Sequence, residues 1–513
     1  MPALKSESNE VLNEESSQVL SSHNIPTMLD SFIPVITLIT LLAVAVNYFG
    51  DNSSYGPNQI ALLLSMGVAI VIGIKNGYKW ASIEKAITAG ISLSLGAVLI
   101  LFAVGSLIGT WLLSGTVPTM IYYGLKILDP SWFYAAACVM CAIVSISIGS
   151  SWTTAATIGV ALIGIAQGLG LSPAITAGAV ISGAYFGDKI SPLSETTNLA
   201  PAIAGSELFS HIRYMFWTTM PSITTALILF LFLGFTETAG NNDQSIELLS
   251  KQLEDQFNLS LFNLVPLFVL LTLAIKKVPA FPSVAIGALI GGLWAVIFQQ
   301  GLILRLADGE SDILTANIIV VWTAFFDGVS IETGNRELND LLSGGGMSSM
   351  LNTVWLIMCA LSFGSVLEHL GMLKKFINVI LASAKSTGSL IASTVATCIG
   401  TNILTADQYM AIVMPGRMYK EEYVRRGLDP LVLSRTLEDS ATITSPLIPW
   451  NTCAVYISGV LLVNPLDYIY YCFFNWINPI LAVIYGFIGF NIKKIVKESK
   501  TTINKKTSRK AIA

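Results

Sequence analysis

Two polar, proline-containing segments interrupt an otherwise apolar chain, one in each half. They are Gly187–Asn198 and Glu438–Thr452. Proline lacks a backbone donor and breaks a helix, and hydrocarbon cannot supply the hydrogen bonds that are lost. Such breaks therefore persist only where protein or a wet cavity surrounds them. Matching breaks in the two halves of a membrane protein predict a transport site between them.

The composition places the chain in the membrane. Of its 513 residues, 53% are hydrophobic and 12% are charged, about half the charged share of an average soluble domain. The basic segment 492–513 directly follows an apolar run, which favours a cytoplasmic tail over a nucleic-acid-binding one. Residues 1–30 form a polar tail without the pattern of a cleavable signal peptide. We expect both termini in the cytoplasm.

The apolar runs predict an all-α polytopic membrane protein with about ten full spans. Residues 31–236 form the first membrane half, 237–345 a connecting region with scaffold spans, and 346–491 the second half. The predicted total of about ten spans is obtained only if residues 301–345, within the connecting region, do not cross the membrane. The short apolar run Ile318–Phe326 is therefore interpreted as interfacial or re-entrant.

Each half is predicted to contain a re-entrant hairpin followed by a broken helix. The hairpins cover about 132–168 and 387–415, and the broken helices about 174–204 and 429–463. Three short matches support an internal duplication: Gly105-Ser106 with Gly364-Ser365, Ile148-Gly149-Ser150 with Ile399-Gly400-Thr401, and Ser191-Pro192-Leu193 with Ser445-Pro446-Leu447. Their offsets are 259, 251 and 254 residues. Gly149 and Gly400 are expected to let the hairpin tips approach other backbone closely.

The charge pattern predicts that the two repeats are inverted. Residues 153–187 carry no charge, whereas the matching part of the second repeat is rich in lysine and arginine. By the positive-inside rule, we expect the first hairpin to open toward the outside of the cell and the second toward the cytoplasm.

Carboxylates at membrane depth are the leading candidates for the site, because an ionisable group there is costly and usually functional. They are Asp188, Glu195, Asp407 and Asp439. Glu438 adjoins Asp439, and neighbouring residues do not share a helical face, so only one of the two is expected to reach the site. Burial raises the pKa of a carboxylate and a neighbouring cation lowers it. Where these two effects nearly balance, the carboxylate can bind either Na⁺ or H⁺.

Sodium also requires several oxygen ligands, which side chains and the freed carbonyls of broken helices can supply. The candidate ligands lie at the hairpin tips and breaks: Ser150, Ser151, Thr197, Asn198, Thr401, Asn402, Ser445 and Asn451. Sodium is the only metal predicted, and no cofactor is expected. The six cysteines lie in apolar runs and are interpreted as small core residues.

Several alternatives stay open. Asp188 can form a structural ion pair with Lys189, and Asp407 can brace the second hairpin. Serine and threonine in membrane helices often bond their own backbone. An enzyme is not expected: there is no His-Glu-x-x-His, and the aspartate motifs of an intramembrane aspartyl protease are incomplete. A channel remains possible from sequence, although paired breaks with buried carboxylates favour a carrier.

The break motifs resemble those of the NhaC-type sodium/proton antiporter family of the ion-transporter superfamily. The resemblance lies in Gly183–Lys189, Ser191–Ala200, Thr401–Gln408, and the stretch from Leu437 to Thr452, within a similarity that spans about 31–491. It implies exchange of sodium for protons and an architecture of inverted repeats with hairpins and broken helices. Glu195 stands where the family pattern has aspartate, which leaves ion preference open.

The resemblance leads us to predict an antiporter of the cell inner (cytoplasmic) membrane, with Na⁺, H⁺ and the lipid bilayer as its partners. Related members exchange organic acids such as malate and lactate, so exchange of small carboxylates coupled to Na⁺ and H⁺ is the alternative. Lys189 is the residue that would serve an anionic substrate. Whether the protein forms a homodimer stays open.

Overall fold

The fold is a bundle of α-helices. The computed structural model describes residues 26–495 apart from 238–242, 277, 308–311, 333–338, 340 and 341; most of both predicted tails lies outside the described residues. The helices are α1 Met28–Phe49, α2 Pro57–Lys75, α3 Trp80–Leu113, α4 Thr116–Ile127, α5 Phe133–Ile148, α6 Ser151–Thr154, α7 Val160–Gly168, α8 Pro173–Ile190, α9 Glu195–Ala204, α10 Leu208–Glu237, α11 Asp243–Gln256, α12 Val265–Ile275, α13 Ala280–Phe298, α14 Gln300–Leu306, α15 Ile313–Phe326, α16 Leu351–His369, α17 Met372–Ala382, α18 Thr387–Thr405, α19 Gln408–Arg425, α20 Pro430–Leu437, α21 Thr452–Leu461, α22 Pro465–Tyr468 and α23 Phe473–Ile488. Two π-helical turns, Ala155–Gly159 and Glu438–Thr442, join α6 to α7 and extend α20.

The membrane fold predicted from sequence is confirmed. In the described part of the chain, 7 helices are long and apolar enough to cross a bilayer, or up to 10 if each sharply bent pair counts as one span. The helices of this length and composition include the first arms of both predicted hairpins, α5 and α18. That these hairpins are re-entrant stays a prediction. Helix α15 has 14 residues, fewer than a full span needs, and exposes Leu314 and Trp322.

The two repeats match at a constant spacing of 257 residues. Left-handed residues end equivalent helices at Gly149 and Ala406, and again at Gly205 and Leu462. The helix N-caps repeat in the same way: Ser150 and Asp407, Ser172 and Asp429, Ser194 and Asn451. Duplication is thus visible in the backbone itself.

A hydrogen bond between the hairpin and the broken helix is duplicated at the same spacing. Ser145 donates to the carbonyl of Ala184 at 2.6 Å, and Asn402 donates to the carbonyl of Ala441 at 2.6 Å. Because these side chains are chemically different, the equivalence is hard to find from sequence.

The register inferred from sequence was wrong at the hairpin. Thr401 was matched with Ser150, but the residue equivalent to Ser150 is Asp407, six positions later. The reason is that Gly400 lies inside the continuous helix α18 and is not at its tip. Only Gly149 takes the left-handed conformation and packs closely, against Leu193; a side chain at Gly400 would meet nothing within 4 Å.

The central segments of the two repeats run antiparallel. Tyr185 meets Ser445 at 3.4 Å, and one turn further along α8, Lys189 meets Asp439. The residue numbers therefore rise along one segment while they fall along the segment it contacts. The two segments cross in opposite directions, as inverted repeats require.

Close packing of α8 against α5 depends on a glycine. A Cβ at Gly183 would overlap the carbonyl of Cys138, so Gly183→Ala must push two buried helices apart. We expect it to lower the free energy of unfolding by about 1–3 kcal/mol. The matched control Gly400→Ala should be neutral or stabilising by about 1 kcal/mol, because the position is helical and open. Thermal unfolding of the detergent-purified variants checks both, and equal midpoints would contradict this packing.

Candidate functional site

The first break is formed where α8 ends inside the protein. Pro192 follows the last turn, and the freed carbonyls of Asp188 and Lys189 accept hydrogen bonds from the Thr197 hydroxyl at 3.1 and 3.0 Å. Ser194 then caps α9. Because backbone groups cannot stay unpaired in a membrane interior, these bonds allow the chain to turn there and hold Asp188 and Lys189 at a buried helix end.

The second break contains a π-helical turn, Glu438–Thr442. Such a turn adds a residue to the helical repeat and is frequent at functional sites. Both Glu438 and Asp439 are completely buried. A regular α-helix would turn the side chains of two adjacent residues to different faces, and the π-helical turn buries both. That only one of them reaches the ion stays a prediction.

Asp439 is held by an ion pair that bridges the two repeats. Its Oδ1 atom accepts hydrogen bonds from Lys189, from Thr218 at 3.0 Å and from Asn478 at 3.1 Å. Arg435, one turn earlier on α20, places its Nε 3.9 Å from Oδ2. Lys189 thus pairs with Asp439 across the repeats, and the alternative that it pairs with Asp188 does not hold.

Glu438 and Asp188 form the less neutralised part of the cluster. One oxygen of Glu438 accepts from the Thr196 hydroxyl at 3.1 Å, and its other oxygen, although buried, has no hydrogen-bond partner. Asp188 accepts from the amide and the hydroxyl of Ser151 at 3.1 and 2.6 Å. Asp188 adjoins Lys189, which pairs with Asp439, and Thr196 of the same break contacts Glu438, so the carboxylates of both repeats lie around one contact between the two breaks.

The formal charges of this cluster do not cancel. Asp188, Glu438 and Asp439 contribute three negative charges, and Lys189 and Arg435 two positive ones, all at most 7% exposed. One negative charge remains if every group is ionised. A buried charge is costly unless it is paired, so one proton or one monovalent cation is the natural complement.

Other predicted site residues lie outside this cluster. Glu195 is exposed and accepts from the Tyr409 hydroxyl at 2.7 Å. Asn198 donates to the carbonyls of Pro192 and Ser194, and Thr401 donates to the carbonyl of Thr397. Asn198 and Thr401 thus support local backbone, whereas Glu195 contacts a side chain of the other repeat.

The remaining candidates support the hairpin tips and the second break. Ser150 and Asp407 cap their helices by accepting from Thr153 and Met410, which is the bracing alternative for Asp407. Asn402, Ser445 and Asn451 are buried. Asn451 caps α21 and donates to Asn402 at 3.1 Å, while Ser445 donates to Gln408 at 3.4 Å.

Five residues of the cluster or its surroundings were not among the sequence candidates: Thr196, His211, Thr218, Arg435 and Asn478. His211 is buried in α10 with no hydrogen-bond partner for either ring nitrogen. Arg435 had a detectable signal, because it precedes Asp439 by one helical turn. Thr218 and Asn478 had none, since each lies on a helix that carries other polar residues, such as Thr219 and Asn475, and nothing in the sequence distinguishes them.

Comparison with known proteins gives consistent matches. The profile of the Na⁺/H⁺ antiporter family matches residues 183–490. A protein of Alkalihalophilus pseudofirmus described as "Na(+)/H(+) antiporter NhaC" is 38% identical over 436 residues, covering 85% of this chain and 91% of its own length. The "Malate-2H(+)/Na(+)-lactate antiporter" of Bacillus subtilis is 37% identical, covering 91% and 95%. The "Arginine/ornithine antiporter ArcD" of Halobacterium salinarum is 36% identical, covering 91% and 93%.

Proposed function

The chain belongs to the Na⁺/H⁺ antiporter family, and from this premise we propose that it exchanges Na⁺ for H⁺ across the cytoplasmic membrane by alternating access. The observation that carries the proposal is the single uncompensated negative charge of the buried cluster. One Na⁺ or one H⁺ would neutralise it, and both together would leave an excess positive charge. Competition for one charge is the minimal requirement for exchange.

We assign the exchanging charge to Asp188 and Glu438. Asp439 is already paired with Lys189 and Arg435, whereas Glu438 accepts from the neutral Thr196 hydroxyl and forms no ion pair among the described residues. Each of the two carboxylates keeps one buried oxygen without a hydrogen-bond partner. The hydroxyls of Ser151 and Thr196, which contact these two carboxylates, would add neutral oxygen ligands for Na⁺. A proton would instead sit on one carboxyl oxygen and remove the charge that attracts the ion.

The antiparallel breaks supply the moving part. Each carboxylate lies where a helix ends or changes to a π-helical turn, so a small rotation of one repeat against the other alters access without breaking a regular helix. The ion pair between Lys189 and Asp439 joins the two repeats at this point. The basic residues near the chain end, Lys493 and Lys494, favour an orientation with both termini in the cytoplasm.

Exchange of small carboxylates is the second candidate. Lys189, the residue expected to serve an anion, is occupied by Asp439. Arg435 instead has Nε and Nη2 without hydrogen-bond partners, and guanidinium binds carboxylates well. One relative is described as a malate and lactate antiporter, which motivates testing both anions.

Transport in sealed vesicles tests the assignment. A pH gradient is imposed on proteoliposomes, and Na⁺, K⁺, malate, lactate or arginine is added separately. We expect Na⁺ alone to dissipate the gradient, since the cluster requires one cation and no organic anion. Dissipation that needs malate or lactate would contradict sodium/proton exchange and favour the second candidate.

A further inference from the structure

A basic cavity opens on the surface between the start of α10 and the residues after α23. Its volume is about 380 Å³, and its lining residues are Ser210, Arg213, Tyr214, Trp217, Asn491 and Lys493. Two cations line it and no carboxylate does. Among the described residues, neither Arg213 nor Lys493 forms an ion pair with an acidic side chain. The cavity therefore presents two cationic side chains that are not engaged in a direct ion pair.

An apolar surface adjoins the cavity. Trp217 is 54% exposed and packs edge-on against Phe490 with ring centroids 5.8 Å apart. Phe487 and Ile488, just before the end of the last helix, are also exposed. Tryptophan together with arginine and lysine at the ends of membrane spans is typical of the headgroup level. A ligand here would have an anionic end beside long apolar chains.

We propose that this cavity binds the phosphate headgroup of an anionic phospholipid. Arg213 and Lys493 would contact the phosphate oxygens, Ser210 and Asn491 would offer neutral hydrogen-bond donors, and the acyl chains would lie along Trp217 and Phe490. Basic residues at the membrane surface attract anionic lipids in this way.

The cavity is joined to the buried cluster through Tyr214. The Lys493 ammonium lies 5.1 Å from the centre of the Tyr214 ring, and the Arg435 guanidinium lies 4.3 Å from it. Arg435 is in turn the neighbour of Asp439. A headgroup that draws Lys493 toward itself would therefore change the charge distribution around Arg435.

A second connection runs through the backbone. The amide of Asp429 donates to the carbonyl of Lys493 at 3.1 Å, and the amide of Ile495 donates to the carbonyl of Gly427 at 2.8 Å. Asp429 is the N-cap of α20, the helix that leads to Glu438 and Asp439. The segment that holds the lipid thus also holds the start of the site helix. If the proposed exchange activity is correct, anionic lipid should increase its rate.

Lipid binding is measured first, because it does not depend on transport. The full-length protein in detergent is titrated with phosphatidylglycerol and bound lipid is counted by native mass spectrometry. Each of the two basic residues that line the cavity and would contact the headgroup is expected to contribute about fivefold to the affinity for anionic lipid. We expect Arg213→Gln with Lys493→Gln to weaken binding by roughly 30-fold. The control Lys494→Gln, an exposed lysine outside the cavity lining, should change it less than about twofold.

Further binding measurements identify which ligand occupies the cavity. Phosphatidylcholine should bind far more weakly than phosphatidylglycerol, and millimolar inorganic phosphate should not displace the lipid. Unchanged phosphatidylglycerol binding in the double variant, equal binding of both lipids, or displacement by inorganic phosphate would overturn the proposal. In vesicles, phosphatidylglycerol should raise exchange in the wild type and not in the double variant. If no vesicle shows exchange, the proposed function fails while the binding result still decides this inference.

Discussion

Replacing Asp188 by asparagine, or Glu438 by glutamine, is expected to abolish sodium-dependent proton movement. Each substitution brings the buried cluster from one net negative charge to none, so nothing remains for Na⁺ and H⁺ to compete for. A neutral amide also cannot release a proton. The bound Na⁺ would lose a charged partner, and losing one partner of a buried charge interaction costs about 3–5 kcal/mol. We therefore expect exchange in proteoliposomes to fall at least about 100-fold.

The control for this result is Glu195→Gln. Glu195 belongs to the same break and carries the same charge, but it is exposed and contacts Tyr409. We expect this variant to retain most of the wild-type exchange. Full activity of Asp188→Asn, or equal loss in all three variants, would place the exchanging charge elsewhere.

A second large effect is expected on stability, when the buried ion pair is broken. Lys189→Gln removes the cation that hydrogen-bonds the fully buried Asp439 and leaves it only the more distant Arg435, 3.9 Å away. Asp439→Asn likewise removes the carboxylate that pairs with Lys189. We expect each to lower the free energy of unfolding by about 3–5 kcal/mol. The double change Lys189→Met with Asp439→Leu should recover most of that loss, since well-packed apolar residues can replace a buried pair.

The chain contains a matched surface pair for comparison. Lys75 lies 3.6 Å from Asp30, but its side chain is 72% exposed. Lys75→Gln should therefore cost less than about 1 kcal/mol. Thermal unfolding of the four detergent-purified variants decides the matter. Similar midpoints for Lys189→Gln and Lys75→Gln would mean that the buried pair contributes no more than the exposed one.

The fold was largely predictable, because bilayer thickness constrains helices strongly. Apolar length located the spans, and the rule that backbone cannot stay unpaired in hydrocarbon located the breaks at Pro192 and Pro446. The register between the two hairpins could not be predicted by matching identical residues in the two repeats. Ser150 and Asp407 are equivalent as helix caps, yet serine and aspartate are different residues with one shared ability to accept a backbone hydrogen bond.

The candidate site was predictable in position and less so in detail. Asp188 and the pair Glu438 and Asp439 were singled out because charge is rare at membrane depth. Their partners were not, because the π-helical turn that buries both acidic residues leaves no periodic signal. The bridging contact between Lys189 and Asp439 joins positions 250 apart in the chain. Such a contact depends on how the repeats cross, and local patterns do not encode that.

The 257-residue spacing between the repeats has a consequence for the balance between the two access states. At that spacing Asp188 corresponds to Ser445, Lys189 to Pro446, Glu438 to Ile181 and Asp439 to Ser182, so every one of these charges has an uncharged counterpart. In a molecule with identical halves, exchanging the shapes of the repeats would give inward-facing and outward-facing forms of equal energy. Here the same exchange moves the acidic and basic groups into unlike surroundings. The two forms therefore differ in energy and in cation affinity. One of them, inward-facing or outward-facing, is more populated even when there is no ion gradient.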